Sequence, residues 1–86
     1  MQSVSTKAAK KKQLLTLRRS VAAVIAATRR DHDLTQEQLA DKLGWSRWKL
    51  AKMENGQGKV EAGELIMIAR ALGTDPEVVW RRVLRW

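Results

Sequence analysis

Residues 35–56 read TQEQLADKLGWSRWKLAKMENG and contain the two short helical patterns that decide the fold. Thr35 is followed three positions later by Gln38, a spacing typical of a capping box, in which two side chains bond backbone amides at a helix start. Gly44 is typical of a helix end, because glycine adopts the left-handed conformation without strain. Together these signals predict a short helix over residues 36–43.

A second short helix follows almost at once. Ser46 offers a hydroxyl cap, and the residues after it predict a helix over 47–54. Only residues 44–46 join the two helices, and so short a joint containing glycine forces a sharp crossing. The small side chain of Ala40 lets the two helices approach closely at this corner. The pair is therefore predicted to form a helix-turn-helix, with a polar face of the second helix turned outward.

The rest of the chain supplies three more helical patterns. An apolar repeat of three or four positions, without Gly or Pro, predicts a long first helix over about 14–31. Glu61 precedes a predicted helix of about 62–72. Residues 75–77 combine a cap, a proline and an acid, which predicts a last helix running to Trp86. No stretch has a strand pattern, so we expect an all-α domain of five helices.

Length, cysteine count and charge restrict the function. The chain has 86 residues, no cysteine and a net charge of +8. This length allows one small domain and excludes a large multi-domain enzyme, and the lack of cysteine excludes disulfides and thiolate metal sites. Residues 1–30 contain basic but no acidic side chains, whereas bases and acids balance over 31–86. This asymmetry points to nucleic acid, an anionic membrane or an acidic partner.

The N-terminal segment differs from the rest. Residues 1–12 read MQSVSTKAAKKK, lack apolar periodicity and are predicted to be a flexible basic arm, leaving residues 13–86 as a single domain. The acid-free start and the apolar run at 21–27 also have features of a signal or transit peptide. That run is rich in alanine, continues into the helical pattern and is far shorter than the roughly 20 residues of a membrane span. We therefore expect no membrane partner.

The arrangement resembles the Xre-type, or phage lambda repressor/Cro-like, family of helix-turn-helix DNA-binding proteins. Residues 34–44, 46–56 and 65–73 follow the family pattern nearly residue for residue, and the similarity covers about 21–79. The resemblance implies a five-helix, phage-repressor-like domain, here with extended first and last helices. It also implies a sequence-specific DNA-binding transcriptional regulator, whose second motif helix enters the major groove of double-stranded DNA.

The resemblance further implies which residues contact DNA. The base-reading positions hold Arg47, Trp48 and Lys52, with Lys49 nearby, and the backbone-contacting positions hold Gln36, Ser46, Asn55, Gln57 and Lys59. The planar guanidinium of Arg47 suits two hydrogen bonds to guanine. Arg29 and Glu54 occupy the positions of a structural ion pair that aligns the second motif helix. The alternative is that the basic residues form only a solvated surface.

Two features depart from the family pattern. Trp48 stands where a small or polar residue is usual, and an indole suits either a thymine methyl group or a protein partner. The last predicted helix has more apolar residues than one small core can cover. Either the first and last helices pack together within the chain, or this surface is the interface of a homodimer, as in the family. In the second case the interface residues are Val79, Trp80, Val83, Leu84 and Trp86.

Two functional hypotheses remain. The first is a small dimeric repressor of the mobile-element type, which occupies a pseudo-palindromic operator with two reading helices one DNA turn, roughly 34 Å, apart. It would act in the cytoplasm of a bacterium, encoded there or by a phage, and associate with the nucleoid. The second is an antitoxin or antiactivator on a helix-turn-helix scaffold. Trp48, Trp80 and Trp86 would then anchor a toxin or an activator.

Nothing in the sequence predicts catalysis. The single histidine, His32, stands between Asp31 and Asp33 without a second ligand or nucleophile at a useful spacing. We therefore expect His32 to be a solvated helix-end residue, and we expect no enzymatic activity, no cofactor and no metal.

Overall fold

The computed structural model describes residues 6–86, in which five helices and no strand are present. The helices are α1 (Lys7–Asp31), α2 (Gln36–Leu43), α3 (Arg47–Glu54), α4 (Ala62–Ala71) and α5 (Pro76–Arg85). The predicted all-α, five-helix architecture is therefore confirmed, and the two motif helices have the predicted bounds.

The predicted caps explain where the motif helices begin and end. The Thr35 amide donates to Gln38 Oε1 at 2.9 Å, and the Gln38 amide donates to Thr35 Oγ1 at 3.1 Å, which closes the capping box of α2. Gly44 ends α2 with a φ of +71°, in the left-handed region. Ser46 then starts α3 by accepting a hydrogen bond from the Lys49 amide at 3.1 Å. Local sequence signals therefore set the sharp turn of the motif.

The first helix begins earlier than predicted. Residues 7–12, which were predicted to belong to a flexible arm, form the first turns of α1. Thr6 caps this helix by accepting from the Ala9 amide at 3.0 Å, and the alanines and lysines that follow are strong helix formers. The apolar pattern missed these turns because they are exposed and have no core to face. Residues 1–5 of the predicted arm lie outside the described part of the chain.

The core is formed by apolar side chains from all five helices. Their buried members are Val24, Ile25, Leu39, Ala40, Leu50, Met53, Leu65, Ile68, Ala69, Leu72, Val79 and Val83. Helix α3 packs against α1 and α2, while α5 packs against α1 and α4. This packing holds α3 at one side of the molecule, with its other face exposed.

Two residues predicted for a dimer interface belong to this core. Val79 and Val83 are only 2% and 8% exposed, so the prediction that they meet a second chain is wrong. They are one helical turn apart and share the inner face of α5. The other predicted interface residues remain at the surface, with exposed fractions of 51% for Trp80, 71% for Leu84 and 61% for Trp86.

Candidate nucleic-acid interface

The outer face of α3 presents an ordered pair of side chains. Leu50 and Met53 point into the core, which leaves Trp48 70% exposed on the opposite side. One turn later, Lys52 places its ammonium 4.5 Å from the centroid of the Trp48 ring, within the range of a cation–π interaction. Arg47, the first residue of α3, is also exposed. Three of the four residues predicted for base reading thus share the outer face of α3.

Lys49 has a different environment from the other residues predicted for base reading. Its ammonium lies 3.0 Å from Glu64 Oε2 on α4 and 4.3 Å from the centroid of the Trp45 ring. The pKa of Glu64 is lowered first by the hydrogen bond that the Glu61 amide donates and then by Lys49, against the opposing effect of burial. In this arrangement Lys49 ties α3 to α4.

A buried ion pair connects α3 to α1. Arg29 donates from Nε to Glu54 Oε2 at 2.7 Å and from Nη2 to Glu54 Oε1 at 2.9 Å, so the predicted pair is present in bidentate form. The hydrogen bond to Glu54 raises the pKa of Arg29, although burial opposes the shift. A third guanidinium nitrogen, Nη1, donates to the Leu34 carbonyl at 2.7 Å. Arg29 therefore joins α1, the turn before α2 and the end of α3.

Gln36 extends this network at the start of α2. Its Nε2 donates to Glu54 Oε1 at 3.1 Å, and its side chain is only partly buried. Gln36 thus contacts the end of α3 through Glu54, while its predicted contact with a DNA phosphate stays a prediction. Ser46 has its hydroxyl committed to the α3 cap but remains exposed at the surface.

The loop after α3 contributes the other predicted backbone contacts. Asn55, Gln57 and Lys59 are exposed, and each is separated from the next by a partly buried glycine. The Gln57 amide already donates to the Lys52 carbonyl at 3.1 Å, so the side chain of Gln57 is the part left for a phosphate. The loop therefore offers side chains beside the outer face of α3.

The structure adds Arg19, which sequence reasoning did not assign. A Cβ atom built on Gly56 would lie 3.4 Å from Arg19 Cγ, which shows that α1 runs against the loop at this point. Ala22, one turn later on α1, is 3.9 Å from the same position. The sign of this close approach in the sequence is the small side chain of Ala22, one turn after Arg19 on the predicted first helix.

A groove opens between α1 and α5, and the loop after α3, including Lys59, and the start of α4 also line it. Leu14, Leu17 and Val21 of α1 line one wall, and Trp80 of α5 lines the other. Leu14 and Leu17 remain 47% and 52% exposed, so the extended helices share a groove without covering each other. Leu84 and Trp86 are exposed near the end of α5. Helices α1 and α5 therefore pack against each other, as the first alternative expects, but leave Leu84, Trp86 and about half of each groove leucine exposed.

The remaining candidate, His32, has a local role. Its Nδ1 lies 2.8 Å from the Thr28 carbonyl oxygen and its Nε2 lies 3.1 Å from Thr74 Oγ1, which connects the end of α1 to the turn before α5. Among residues 6–86 no group of three or more acidic, histidine or cysteine side chains is placed to hold a metal ion. None of the described helices is both long enough and apolar enough to cross a membrane.

Comparison with known proteins agrees with this geometry. A family model described as helix-turn-helix matches residues 25–79, a range that begins within α1 and ends within α5. The clp gene regulator ClgR from Corynebacterium glutamicum has a similar structure, with a TM-score of 0.76 and 26% identity over 80% of this chain and 90% of that chain. A mutant of the restriction-modification controller protein C.Esp1396I gives a TM-score of 0.75 and 25% identity over 80% of this chain and 92% of that chain.

No curated protein sequence matches the chain significantly. The helix-turn-helix match nevertheless covers more than half of the 86 residues. It also includes the capped turn between α2 and α3 and the core residues that hold α3 in place. The chain belongs to the helix-turn-helix family of the Xre, or lambda-repressor-like, type.

Proposed function

We propose that this helix-turn-helix protein is a dimeric, sequence-specific repressor that inserts α3 into the major groove of a pseudo-palindromic operator. The observation that carries the proposal is the outer face of α3, where Arg47, Trp48 and Lys52 are accessible together. Helix α3 is held in place by Arg29 through Glu54. A rigidly held helix with donors on its outer face suits the reading of base edges.

The structure supports different roles for the four residues predicted to read bases. Arg47 suits a bidentate contact with guanine. Trp48, with one ring face near Lys52, offers an apolar edge that suits the methyl group of thymine. Lys49 is engaged by Glu64, so we assign it to positioning α3 and not to base reading. Asn55, Gln57, Lys59, Gln36 and Ser46 are then the contacts with the sugar–phosphate backbone.

The dimer in this proposal uses the groove between α1 and α5. Trp80, Leu17 and Leu14 are about half exposed there, and an apolar surface of this kind marks an interaction site in a small protein. A two-fold axis through this region would bury the same residues of both protomers. The two copies of α3 would then face successive major grooves, roughly 34 Å apart. A repressor of this type, from a bacterium, a phage or another mobile element, would act in the cytoplasm at the nucleoid.

The second candidate function is a protein-binding antitoxin or antiactivator. It is favoured by one observation, the large exposed surface of Trp48, because tryptophan is enriched at the centres of protein interfaces. The two candidates differ in what happens without a partner protein. A repressor binds its operator without a partner protein. An antitoxin or antiactivator acts only when it binds its toxin or activator.

Selection from a random duplex library by the purified protein tests the proposal. We expect enrichment of one sequence made of two inverted half-sites whose centres are about one DNA turn apart. The matched variants are Arg47→Ala on α3 and Arg81→Ala on the exposed side of α5. The α3 variant should lose the enrichment of one base pair per half-site, and the α5 variant should select the wild-type sequence. If the wild-type protein enriches no sequence, the proposal is overturned.

A further inference from the structure

The first half of α1 extends beyond the helix-turn-helix body. Arg19 lies against Gly56 in the loop after α3, and the helix continues from there to Lys7. At a rise of about 1.5 Å per residue this continuation is about 18 Å long. Its side chains are exposed from Lys7 to Leu17, and the family match begins only at residue 25. The extension therefore lies outside the family match and contributes nothing to the buried core.

The extension is strongly and uniformly basic. Lys7, Lys10, Lys11 and Lys12 stand in its first turns, and no acidic residue occurs between Lys7 and Arg30. None of the ion pairs among residues 6–86 involves these four lysines. Cations three or four residues apart repel each other, and cations near a helix N-terminus oppose the helix dipole. The charge of this segment thus disfavours the helix, and a polyanion beside it would remove that penalty.

The extension also lies in line with the candidate phosphate contacts. Lys12 is seven residues, close to two turns, before Arg19, so both lie on the same side of α1. Arg19 in turn lies against the loop that carries Asn55 and Lys59. The side of the extension that carries Lys12 and Arg19 thus meets the loop at Gly56.

We propose that residues 7–19 of α1 form a rigid second surface that binds DNA phosphates beyond the base pairs facing α3. This inference rests on the proposed DNA-binding function and adds the partner of a segment that lies outside the family match. A helix fixes the spacing of its charges, whereas a flexible arm does not. The contacts would be independent of base sequence, because phosphates carry no sequence information.

An anionic membrane is the other polyanion that a basic helix can bind. DNA is favoured because Leu14 and Leu17 are each two residues from Lys12 or Arg19, which places the leucines on roughly the opposite side of the helix. The leucines line the groove beside Trp80 together with Arg18 and Lys59. Lys10 lies four residues before Leu14 and seven before Leu17, so a cation interrupts the leucine face. A membrane-binding helix would instead have its cations flanking one broad apolar face.

Two variants, each with its own control, separate a rigid surface from a flexible basic arm. Lys12→Gln combined with Arg19→Gln removes two charges, and Arg70→Gln combined with Arg81→Gln removes two exposed charges from α4 and α5. Gln13→Pro keeps every charge but breaks the helix next to Lys12, and Gln13→Ala is its control. None of the mutated residues belongs to the core. Circular dichroism measures how much helix the proline variant loses.

Affinity is measured for two duplexes that contain the selected operator, one trimmed to the operator and one with ten further base pairs on each side. On the long duplex we expect the wild type to bind at least about tenfold tighter than the Lys12/Arg19 variant, whose salt slope should fall by about one for each lost contact. The proline variant should lose a comparable factor. The Arg70/Arg81 and Gln13→Ala variants should bind as the wild type does.

The failures of this inference and of the proposed function are distinguishable. If no operator is selected, the proposed function fails and this inference fails with it. If the operator is bound but the Lys12/Arg19 variant keeps wild-type affinity and salt slope, only the inference is overturned. The rigid surface is also overturned if the proline variant binds normally. Finally, the rigid surface is overturned if the Lys12/Arg19 variant loses affinity for phosphatidylglycerol vesicles but keeps the wild-type affinity for the long duplex.

Discussion

Arg29 on α1 and Glu54 at the end of α3 form a bidentate ion pair, with Nε and Oε2 2.7 Å apart. The pair is almost fully buried, and Gln36 donates to the same carboxylate. Helix α3 is only eight residues long, and this pair acts with its core packing and with the Lys49–Glu64 contact to keep its direction fixed. The orientation of the proposed reading helix therefore depends on a contact made outside the helix-turn-helix motif itself.

Removal of Arg29 is expected to destabilise the fold strongly. Arg29→Met leaves the Glu54 carboxylate buried without its main partner, which should lower the free energy of unfolding by about 3 kcal/mol. Urea unfolding at pH 7 measures the loss. Arg30→Met, which changes an exposed neighbour, is the control and should be nearly neutral. Adding Glu54→Leu to Arg29→Met should restore part of the loss, and no restoration would contradict the assigned pairing.

The contact between Lys49 and Glu64 predicts a dependence of stability on pH. The pKa of Glu64 is lower in the folded chain, so its ionised form stabilises the fold above the unfolded-state value of about 4.3. This stabilisation disappears as the pH falls through the folded-state value. Glu64→Gln should thus lower Tm at pH 7 and have less effect at pH 3, with an effect below about 1 kcal/mol because Lys49 is partly exposed.

The same contact separates positioning from base reading. Lys49→Gln should weaken operator binding mildly and leave the base preference of the protein as it is in the wild type. A changed base preference at one operator position would contradict the positioning role and return Lys49 to the residues that read bases.

Trp48 is expected to recognise a thymine methyl group. Replacing thymine by uracil, one operator position at a time, removes only that methyl group. At one position per half-site the affinity should fall about fourfold, the equivalent of roughly 0.8 kcal/mol for one buried carbon. Trp48→Ala should bind the thymine and uracil operators equally. If no position is sensitive in the wild type, the indole does not contact a thymine methyl group.

Self-association is expected to depend on the groove between α1 and α5. Trp80→Ser and Leu17→Ser should each weaken the dimer at least about tenfold, because large apolar side chains dominate interface energies. Met67→Ser is the matched control, since Met67 is similarly exposed on α4 but does not line the groove. Light scattering across a concentration series measures the effect. A monomeric wild type at the highest concentration would contradict the dimer.

The sequence predicted those parts of the fold that depend on local signals. Thr35, Gln38, Gly44 and Ser46 set the motif helices through contacts within three or four residues. The prediction failed at the start of α1, where Lys7 follows a good cap but residues 8–13 include no large apolar side chain to reveal a helical period. For such turns the helix propensity of alanine and lysine was the better guide.

The candidate site was predictable only in part, because several roles depend on distant partners. The predicted surplus of apolar residues in α5 is present, because Trp80 and Leu84 are exposed. The sequence did not distinguish these two residues from Val79 and Val83, which face the core. Lys49 reads as a basic residue on the second motif helix until Glu64 of α4 is seen beside it. Such contacts join residues that are far apart in the chain, and local spacing does not reveal them.

One affinity ratio decides whether α3 reads base sequence. The measurement is the Kd for the selected operator and for a shuffled duplex of the same composition, in the wild type, Arg47→Ala and Arg81→Ala. Because Arg47→Ala loses the guanine contact, its binding free energy should weaken by about 1–3 kcal/mol on the operator and change little on the shuffled duplex. Arg81→Ala should keep the wild-type ratio of the two Kd values. An Arg47→Ala variant that discriminates as well as the wild type would contradict the assignment of α3 as the reading helix.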